Sequence, residues 1–151
     1  MATSQPISIQ PGNGGDGVNS ASSAYIRTLS ALAEQAPWDF VEELVGLNLE
    51  AKLRDPQLHA ALLAITRALP ADSGWRAHAL AVLSEDAADP DTLIREALEA
   101  IREAEDDLQA AALLAVAPYA TEETRSEVRA LLAEIEVDNV FRGDILNWLD
   151  C

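Results

Sequence analysis

The sequence predicts an all-α protein built from stacked antiparallel helical hairpins. Alanine and leucine dominate an apolar fraction of 49%, whereas aromatic residues make up only 5%. Alanine and leucine are strong helix formers, and runs of β-branched residues are almost absent. Apolar residues also recur at the i, i+3, i+4 and i+7 spacing that places them on one face of a helix. Such hairpins stack into an α-solenoid or a compact helical bundle, and the pattern leaves both open.

The chain divides into an N-terminal tail, residues 1–21, and a single α-helical repeat domain, residues 22–151. Glycine, serine and asparagine are frequent in the tail. It has too little apolar surface to order itself, so we expect it to be disordered. Within it, Ile7 and Ile9 alternate with polar residues between two prolines. This segment is either simply extended or a strand-like peptide for the sheet edge of a partner.

Eight helices are expected, and the first four lie near 23–36, 39–54, 56–69 and 73–85. The first stops at Pro37, and the second begins at Asp39, which has capping-box spacing with Glu42. The third begins at Asp55 and Pro56, an N-cap residue followed by proline at the first helical position. The fourth follows a turn that contains proline and glycine.

The last four helices are expected near 90–104, 105–117, 121–135 and 138–149. Asp89 and Pro90 repeat the pair of N-cap and proline at the start of the fifth. Acids at 105–107 favour the start of the sixth through the helix dipole. Thr121 and Asp138 are of the residue types that cap helix N-termini, and they precede the last two helices.

The sequence contains two similar copies of one helical hairpin. The segment Ala-Leu-Leu-Ala-Ile at 61–65 recurs as Ala-Leu-Leu-Ala-Val at 112–116. Each copy is followed 18 residues on by a second Ala/Leu segment, at 79–83 and 130–133. The alanines let antiparallel helices approach closely, and each hairpin needs neighbours to bury its other face. The helix expected near 90–104 interrupts this repetition.

The segments at 112–119, 122–135 and 140–149 resemble the HEAT/TPR-like α-helical repeats found at the ends of bacterial STAND-type signalling NTPases. In that group an Ala/Leu helix that closes in Ala-Pro-aromatic, as here in Ala-Pro-Tyr, is followed by an Ala/Leu helix rich in Arg and Glu. The resemblance covers about residues 55–149 and implies a protein-binding or sensor module. The phosphate-binding loop of the NTPase part is absent from the sequence.

The net charge of −16, from 26 acidic and ten basic residues, narrows the range of partners. Such a surface repels phosphate and anionic lipid, so neither direct nucleic-acid binding nor membrane binding is expected. No stretch reaches the roughly 18 apolar residues of a membrane helix. The start of the chain lacks the pattern of a signal peptide. A single cysteine, Cys151, cannot form an internal disulfide, and together these features favour a cytoplasmic protein.

No set of side chains in the sequence predicts catalysis, a metal or a cofactor. His59 and His78 are the only histidines, and a metal site would need further ligands beside them. No Ser-His-Asp or Cys-His arrangement can be assembled. Acidic residues are so numerous that pairs of them arise by chance. We therefore do not expect an enzyme.

Two groups of residues are candidates for binding a protein. Glu96, Glu99 and Glu103 lie at i, i+3 and i+7 on the fifth helix, opposite its apolar stripe. They belong to the run 85–107, which holds ten acids against only Arg95 and Arg102. The three glutamates, called the acidic ridge below, form either a solvated face with ordinary helix ion pairs or a docking site for a basic partner. Trp38 and Trp75 are either core residues or partly exposed interface anchors, whereas Trp148 continues an apolar stripe and is expected in the core.

We therefore expect a non-catalytic protein-binding module, an adaptor, sensor or inhibitor, that acts through a helical-repeat groove or the acidic ridge. The alternative is an acidic nucleic-acid mimic that blocks a DNA-binding enzyme. Evenly spread acids would favour the mimic, and acids concentrated in one ridge favour the adaptor. The candidate partner-binding residues are Glu96, Glu99, Glu103, Trp38, Trp75, Ile7 and Ile9.

Overall fold

A computed structural model describes residues 16–70 and 74–150, with side chains from residue 23 onward. This part of the chain forms eight α-helices and two short 3-10 turns and contains no strand, which confirms the all-α class. The helices are α1 (Asp16–Gln35), α2 (Pro37–Leu49), α3 (Pro56–Arg67), α4 (Trp75–Ser84), α5 (Pro90–Glu103), α6 (Asp106–Val116), α7 (Arg125–Glu134) and α8 (Asn139–Leu149). The 3-10 turns are Lys52–Arg54 and Ala117–Tyr119.

Three of the expected aspartate N-caps are confirmed. The carboxylates of Asp55, Asp89 and Asp138 accept hydrogen bonds from backbone amides in the first turns of α3, α5 and α8, at 3.0, 3.3 and 2.9 Å. Pro56 and Pro90 occupy the first helical positions of α3 and α5. Proline suits this position because its fixed φ is already helical and its missing amide has no partner to lose.

Two helices begin earlier than the sequence predicts. α1 starts at Asp16, so it includes residues 16–21 of the segment assigned to the tail. α2 starts at Pro37 rather than Asp39, which lies in its first turn, and Ala36 precedes it without a side-chain cap. A proline read as a stop for one helix thus begins the next. The remainder of the tail, with Ile7 and Ile9, lies outside the described residues.

The start of α7 is displaced in the other direction, to Arg125. Thr121 begins a turn in which its hydroxyl accepts from the amide of Thr124 at 3.2 Å. The hydroxyl of Thr124 accepts in return from the amide of Thr121 at 2.8 Å. The threonine pair satisfies two amides ahead of the helix, as the two residues of a capping box do.

The helices form two layers. In one layer, each of the even-numbered helices α2, α4, α6 and α8 packs against the next. In the other layer, α1 packs on α3 and α5 packs on α7. An ion pair of 2.9 Å between Arg67 and Glu96 joins α3 to α5. Arg95 pairs with Glu127, and seven residues further along both helices Arg102 pairs with Glu134. α5 and α7 therefore lie parallel and in register.

α4 is the centre of the core. It packs against α2, α3, α5 and α6, and seven of its ten residues are buried. Leu80 and Leu83 are fully buried there, alongside Phe40 from α2, Ile94 from α5 and Leu113 from α6. Because these side chains belong to one cluster, both layers share a single hydrophobic core.

The repeat visible in the sequence is not the repeat of the structure. The matching Ala/Leu segments lie on α3 and α6, and these helices belong to different layers. Both helices pack against α4, whose close approach favours small residues on its neighbours. The odd-numbered helices that begin at Pro56, Pro90 and Arg125 follow one another at intervals of 34 and 35 residues. α5, which the sequence assigns as an interruption, is thus a regular member of the stack.

Candidate protein-binding surface

The acidic ridge on α5 is partly neutralised. Glu96 accepts two hydrogen bonds from the guanidinium of Arg67, at 3.0 and 2.9 Å. Glu99 pairs with Arg102 on the same helix at 2.7 Å. Glu103 is exposed and makes no ion pair within the described residues. The three acids share a helix but do not present three free charges.

The arginines of α5 also link the ridge to α7. Arg95 bonds the carboxylate of Glu127 at 3.0 and 3.1 Å, and Arg102 reaches Glu134 at 3.4 Å. Ion pairs this exposed contribute only about 0–1 kcal/mol each. Their arrangement follows the parallel packing of α5 and α7, so these charges are used within the fold.

Trp38 and Trp75 form a pair at the surface. Their ring centroids lie 5.2 Å apart at an interplanar angle of 65°, an edge-to-face contact. Both belong to the first turns of their helices, which are neighbours in the even layer. Trp75 is partly buried, whereas Trp38 remains 51% exposed. The contact fixes an exposed indole in place, and such contacts contribute about 0.5–1.5 kcal/mol beyond burial.

Beyond Trp75 the apolar surface continues into a pocket of about 110 Å³ between α4 and α6. Its lining residues are Gly74, Trp75, His78, Leu108, Ala111, Ala112 and Ala115. The α6 residues fall on one face of that helix, at i, i+3, i+4 and i+7 from Leu108. The exposed or partly exposed residues from α2 to α6 are called the apolar strip below: Trp38, Trp75, His78, Leu108, Ala111 and Ala115.

Gly74 explains why α4 and α6 lie so close beneath the strip. It precedes α4 in the left-handed region, with φ of +85°. A Cβ at this position would lie 3.0 Å from the Cβ of Ala112. Glycine meets both requirements, since it adopts positive φ freely and adds no atom between the helices.

His78 contributes an uncharged face to the strip. Burial lowers the pKa of its imidazole below the ordinary value of 6.5, because the surroundings disfavour the charged form. His59 lies elsewhere, with its Nε2 2.8 Å from the carbonyl oxygen of Leu83. In the described ranges, no group of three or more His, Cys, Asp or Glu side chains is placed to hold a metal ion.

A second groove lies on the other side of Pro37, where α1 and the end of α3 meet the start of α2. It has a volume of about 350 Å³ and is lined by Ser30, Ala33, Glu34, Pro37, Ile65, Ala68, Leu69 and Pro70. Pro37, which lines this groove, is followed by Trp38 at one end of the apolar strip, so the groove and the strip are adjacent. The groove is wider than the pocket at Trp75 and carries one carboxylate, that of Glu34.

The prediction that Trp148 lies in the core is wrong. Its side chain is 51% exposed, while Ile145 and Leu149 on the same helix are buried. α8 packs on α6 and α7 through the face that carries Ile145 and Leu149, and Trp148 lies at the edge of that face. An apolar stripe fixes which side of a helix is buried but not how wide the buried side is.

The residues that sequence reasoning missed are His78 and the α6 members of the strip. In the sequence, Leu108 and Ala111 do not differ from other apolar residues of a helix. They lie beside Trp75 only because α4 and α6 are neighbours in one layer. Within the described part of the chain, no helix combines the length and apolar character needed to cross a lipid bilayer.

The chain matches no protein family model, no curated protein sequence and no solved structure. The resemblance to HEAT/TPR-like repeats therefore stays a prediction.

Proposed function

We propose that this chain is a non-catalytic protein-binding module, an adaptor, sensor or inhibitor, whose partner binds at the apolar strip. The observation that carries the proposal is the Trp38–Trp75 pair, in which an indole 51% exposed is held edge-to-face by a second one. Tryptophan is among the residues most enriched at the energetic centres of interfaces. An anchor already fixed in the free protein loses little side-chain entropy when a partner covers it.

The apolar surface is continuous, which supports a binding site along the whole strip rather than at a single exposed hydrophobic residue. Trp75 contacts Trp38 on one side and lines the α4–α6 pocket on the other. The surface therefore extends over three neighbouring helices of one layer, as expected for a binding face of stacked hairpins. A partner could cover the exposed indole and fill the pocket at the same time.

The acidic ridge is a weaker candidate for the binding site. Glu96 and Glu99 are already paired with arginines, and a partner's basic groups would have to displace them. The same pairing counts against the nucleic-acid mimic, because a row of phosphates presents free charges. We therefore place the main contact on the strip and leave the ridge as supporting structure.

The test uses two tryptophans of equal exposure. The baits in affinity capture are the wild-type chain and the variants Trp38→Ala and Trp148→Ala. Trp148→Ala is the matched control, because both indoles are 51% exposed. We expect proteins retained by the wild type and by Trp148→Ala but lost with Trp38→Ala. Each such protein is then purified, and its affinity is measured by calorimetry.

We expect Trp38→Ala to weaken that affinity about 30-fold, the effect of an interface anchor worth about 2 kcal/mol. Circular dichroism and thermal melting of all three baits exclude unfolding as the cause. Equal binding by wild type and Trp38→Ala would contradict the proposal. So would a purified partner whose binding is lost only when Glu96 and Glu99 are reversed to lysine.

A further inference from the structure

We infer, on the basis of the proposed function, that the element bound by the apolar strip is a basic amphipathic helix. Its apolar side chains would lie on the strip, and its lysines or arginines would meet carboxylates at the strip's edges. Charge is divided unevenly between the two layers of the fold.

Most basic residues lie outside the three helices that present the strip, and on those helices the basic residue is Arg76, which follows Trp75 on α4. α5 and α7 carry four arginines, of which Arg95, Arg102 and Arg129 are in ion pairs. α2 and α6, which flank the exposed end of α4, carry no basic residue. Their five acids are Asp39, Glu42, Glu43, Asp106 and Asp107. α2 and α6 are therefore acidic without a compensating basic residue, and on the three helices of the strip five acids stand against the single arginine, Arg76.

Carboxylates border the strip at its two ends. Glu42 lies one helical turn after Trp38, on the same exposed face of α2. Asp107 lies one turn before Ala111 on the exposed face of α6. Neither side chain makes an ion pair within the part of the chain that the structure describes. By contrast, Glu43 accepts a hydrogen bond from Tyr25 at 2.7 Å and serves the α1–α2 contact.

Helix stability explains some of these acids but not all. Asp107 lies in the first turn of α6, where the helix dipole favours a negative charge. Glu42 is in the middle of α2 and has no basic residue three or four positions away. Glu34, which lines the neighbouring groove, is in the last turn of α1, where the dipole disfavours it. Their position beside exposed apolar surface is what a cationic partner would use.

The shape of the strip favours a helix of about three turns. Packed helices lie roughly 8–10 Å apart, so the strip from α2 to α6 spans roughly 16–20 Å. A helix rises 1.5 Å per residue, so about 11–13 residues cover this distance. Binding of an extended peptide by addition to a sheet edge is not open to this surface, because residues 16–70 and 74–150 contain no strand.

Three synthetic 16-residue peptides test the inference on the full chain by calorimetry. The first has leucine and tryptophan on one helical face and lysine and arginine beside them. The second replaces each basic residue with glutamate, and the third keeps the first composition in an order without an apolar face. We expect 1:1 binding of the first at micromolar Kd, at least tenfold weaker binding of the other two, and weakening as salt rises from 0.05 to 0.5 M.

Variants of the chain locate the contact. We expect Trp38→Ala to weaken binding of the first peptide at least tenfold, and Glu34→Gln with Glu42→Gln to weaken it about fivefold with a smaller salt dependence. The matched control, Glu99→Gln with Glu103→Gln on the ridge, should bind as the wild type does.

Binding of the acidic peptide as tightly as the basic one would overturn the inference. So would failure of all three peptides to bind, or equal loss in the ridge control. These outcomes are separable from the proposed function, because Trp38-dependent binding of a captured protein can persist when the basic peptide does not bind. Loss of that dependence contradicts the proposed function itself.

Discussion

Replacing Gly74 by alanine should destabilise the fold where α4 meets α6. The backbone at Gly74 has φ of +85°, which costs an L-residue roughly 1–2 kcal/mol. The added Cβ would lie 3.0 Å from the Cβ of Ala112, and overpacking of this kind costs roughly 1–3 kcal/mol. We therefore expect the free energy of unfolding to fall by about 2–5 kcal/mol.

The chain offers a control and a rescue for this substitution. Gly143 lies within α8, and a Cβ there would meet nothing within 4 Å. Gly143→Ala should therefore stabilise the protein by about 1 kcal/mol through helix propensity. Adding Ala112→Gly to Gly74→Ala removes the close contact but keeps the unfavourable φ. It separates the two costs once the roughly 1 kcal/mol helix-propensity cost of glycine in α6 is subtracted.

Urea denaturation followed by circular dichroism measures all four proteins. Changes in the midpoint at constant slope report stability, whereas a changed slope would show altered compactness. If Gly74→Ala were as stable as Gly143→Ala, the close approach of α4 and α6 would be refuted. A further loss of about 1 kcal/mol on adding Ala112→Gly, the helix-propensity cost of glycine alone, would assign the whole cost of Gly74→Ala to backbone strain.

Three further outcomes are expected of the described core and caps. Leu80→Ala, at a fully buried position of α4, should lower the free energy of unfolding by about 2–5 kcal/mol in urea denaturation. Asp55→Ala should cost about 1 kcal/mol by the same measurement and Asp55→Asn much less, because asparagine also caps the amide at the start of α3. Burial lowers the pKa of His78, so below pH 6.5 the unfolded chain takes up a proton first and stability falls with decreasing pH. His78→Leu should lose less stability than the wild type between pH 7.5 and 5.5, and an equal loss would contradict a buried neutral imidazole.

Local signals were enough to place most helices. The caps at Asp55, Asp89 and Asp138 act within one turn of chain, so their spacing in the sequence predicts their geometry. Pro37 shows the limit of such signals. A proline can follow the end of one helix or be the first residue of the next. Because only Ala36 separates α1 from α2, the sequence does not show which of these roles Pro37 has.

Features that depend on layer order could not be predicted in the same way. The Ala/Leu segments of α3 and α6 look equivalent because both pack on α4, yet they lie in different layers. The interval of 34 residues between the pairs Asp55-Pro56 and Asp89-Pro90 was visible in the sequence and marks the true stacking unit. Trp38 and Trp75 could be named as candidates, but their contact requires that α2 and α4 be neighbours.

Ion pairs can likewise be predicted from the sequence when both residues are on one helix, but not when they lie on different helices. The acids of the ridge are evident in the sequence, and so is the nearby Arg102 that pairs with Glu99. The ion pairs between helices join residues that are 29 to 32 positions apart, as for Arg67 with Glu96 and Arg95 with Glu127. Only the packing of the odd-numbered helices brings Arg67 to the ridge and Glu127 to Arg95.

Hydrogen exchange with mass spectrometry, on the full chain with and without its purified partner, tests the binding surface most directly. Peptides covering the first turns of α2, α4 and α6 should exchange more slowly in the complex, while those from α5 and α7 should not change. Slower exchange confined to α5 and α7, with the first turns of α2 and α4 unaffected, would contradict binding at the apolar strip.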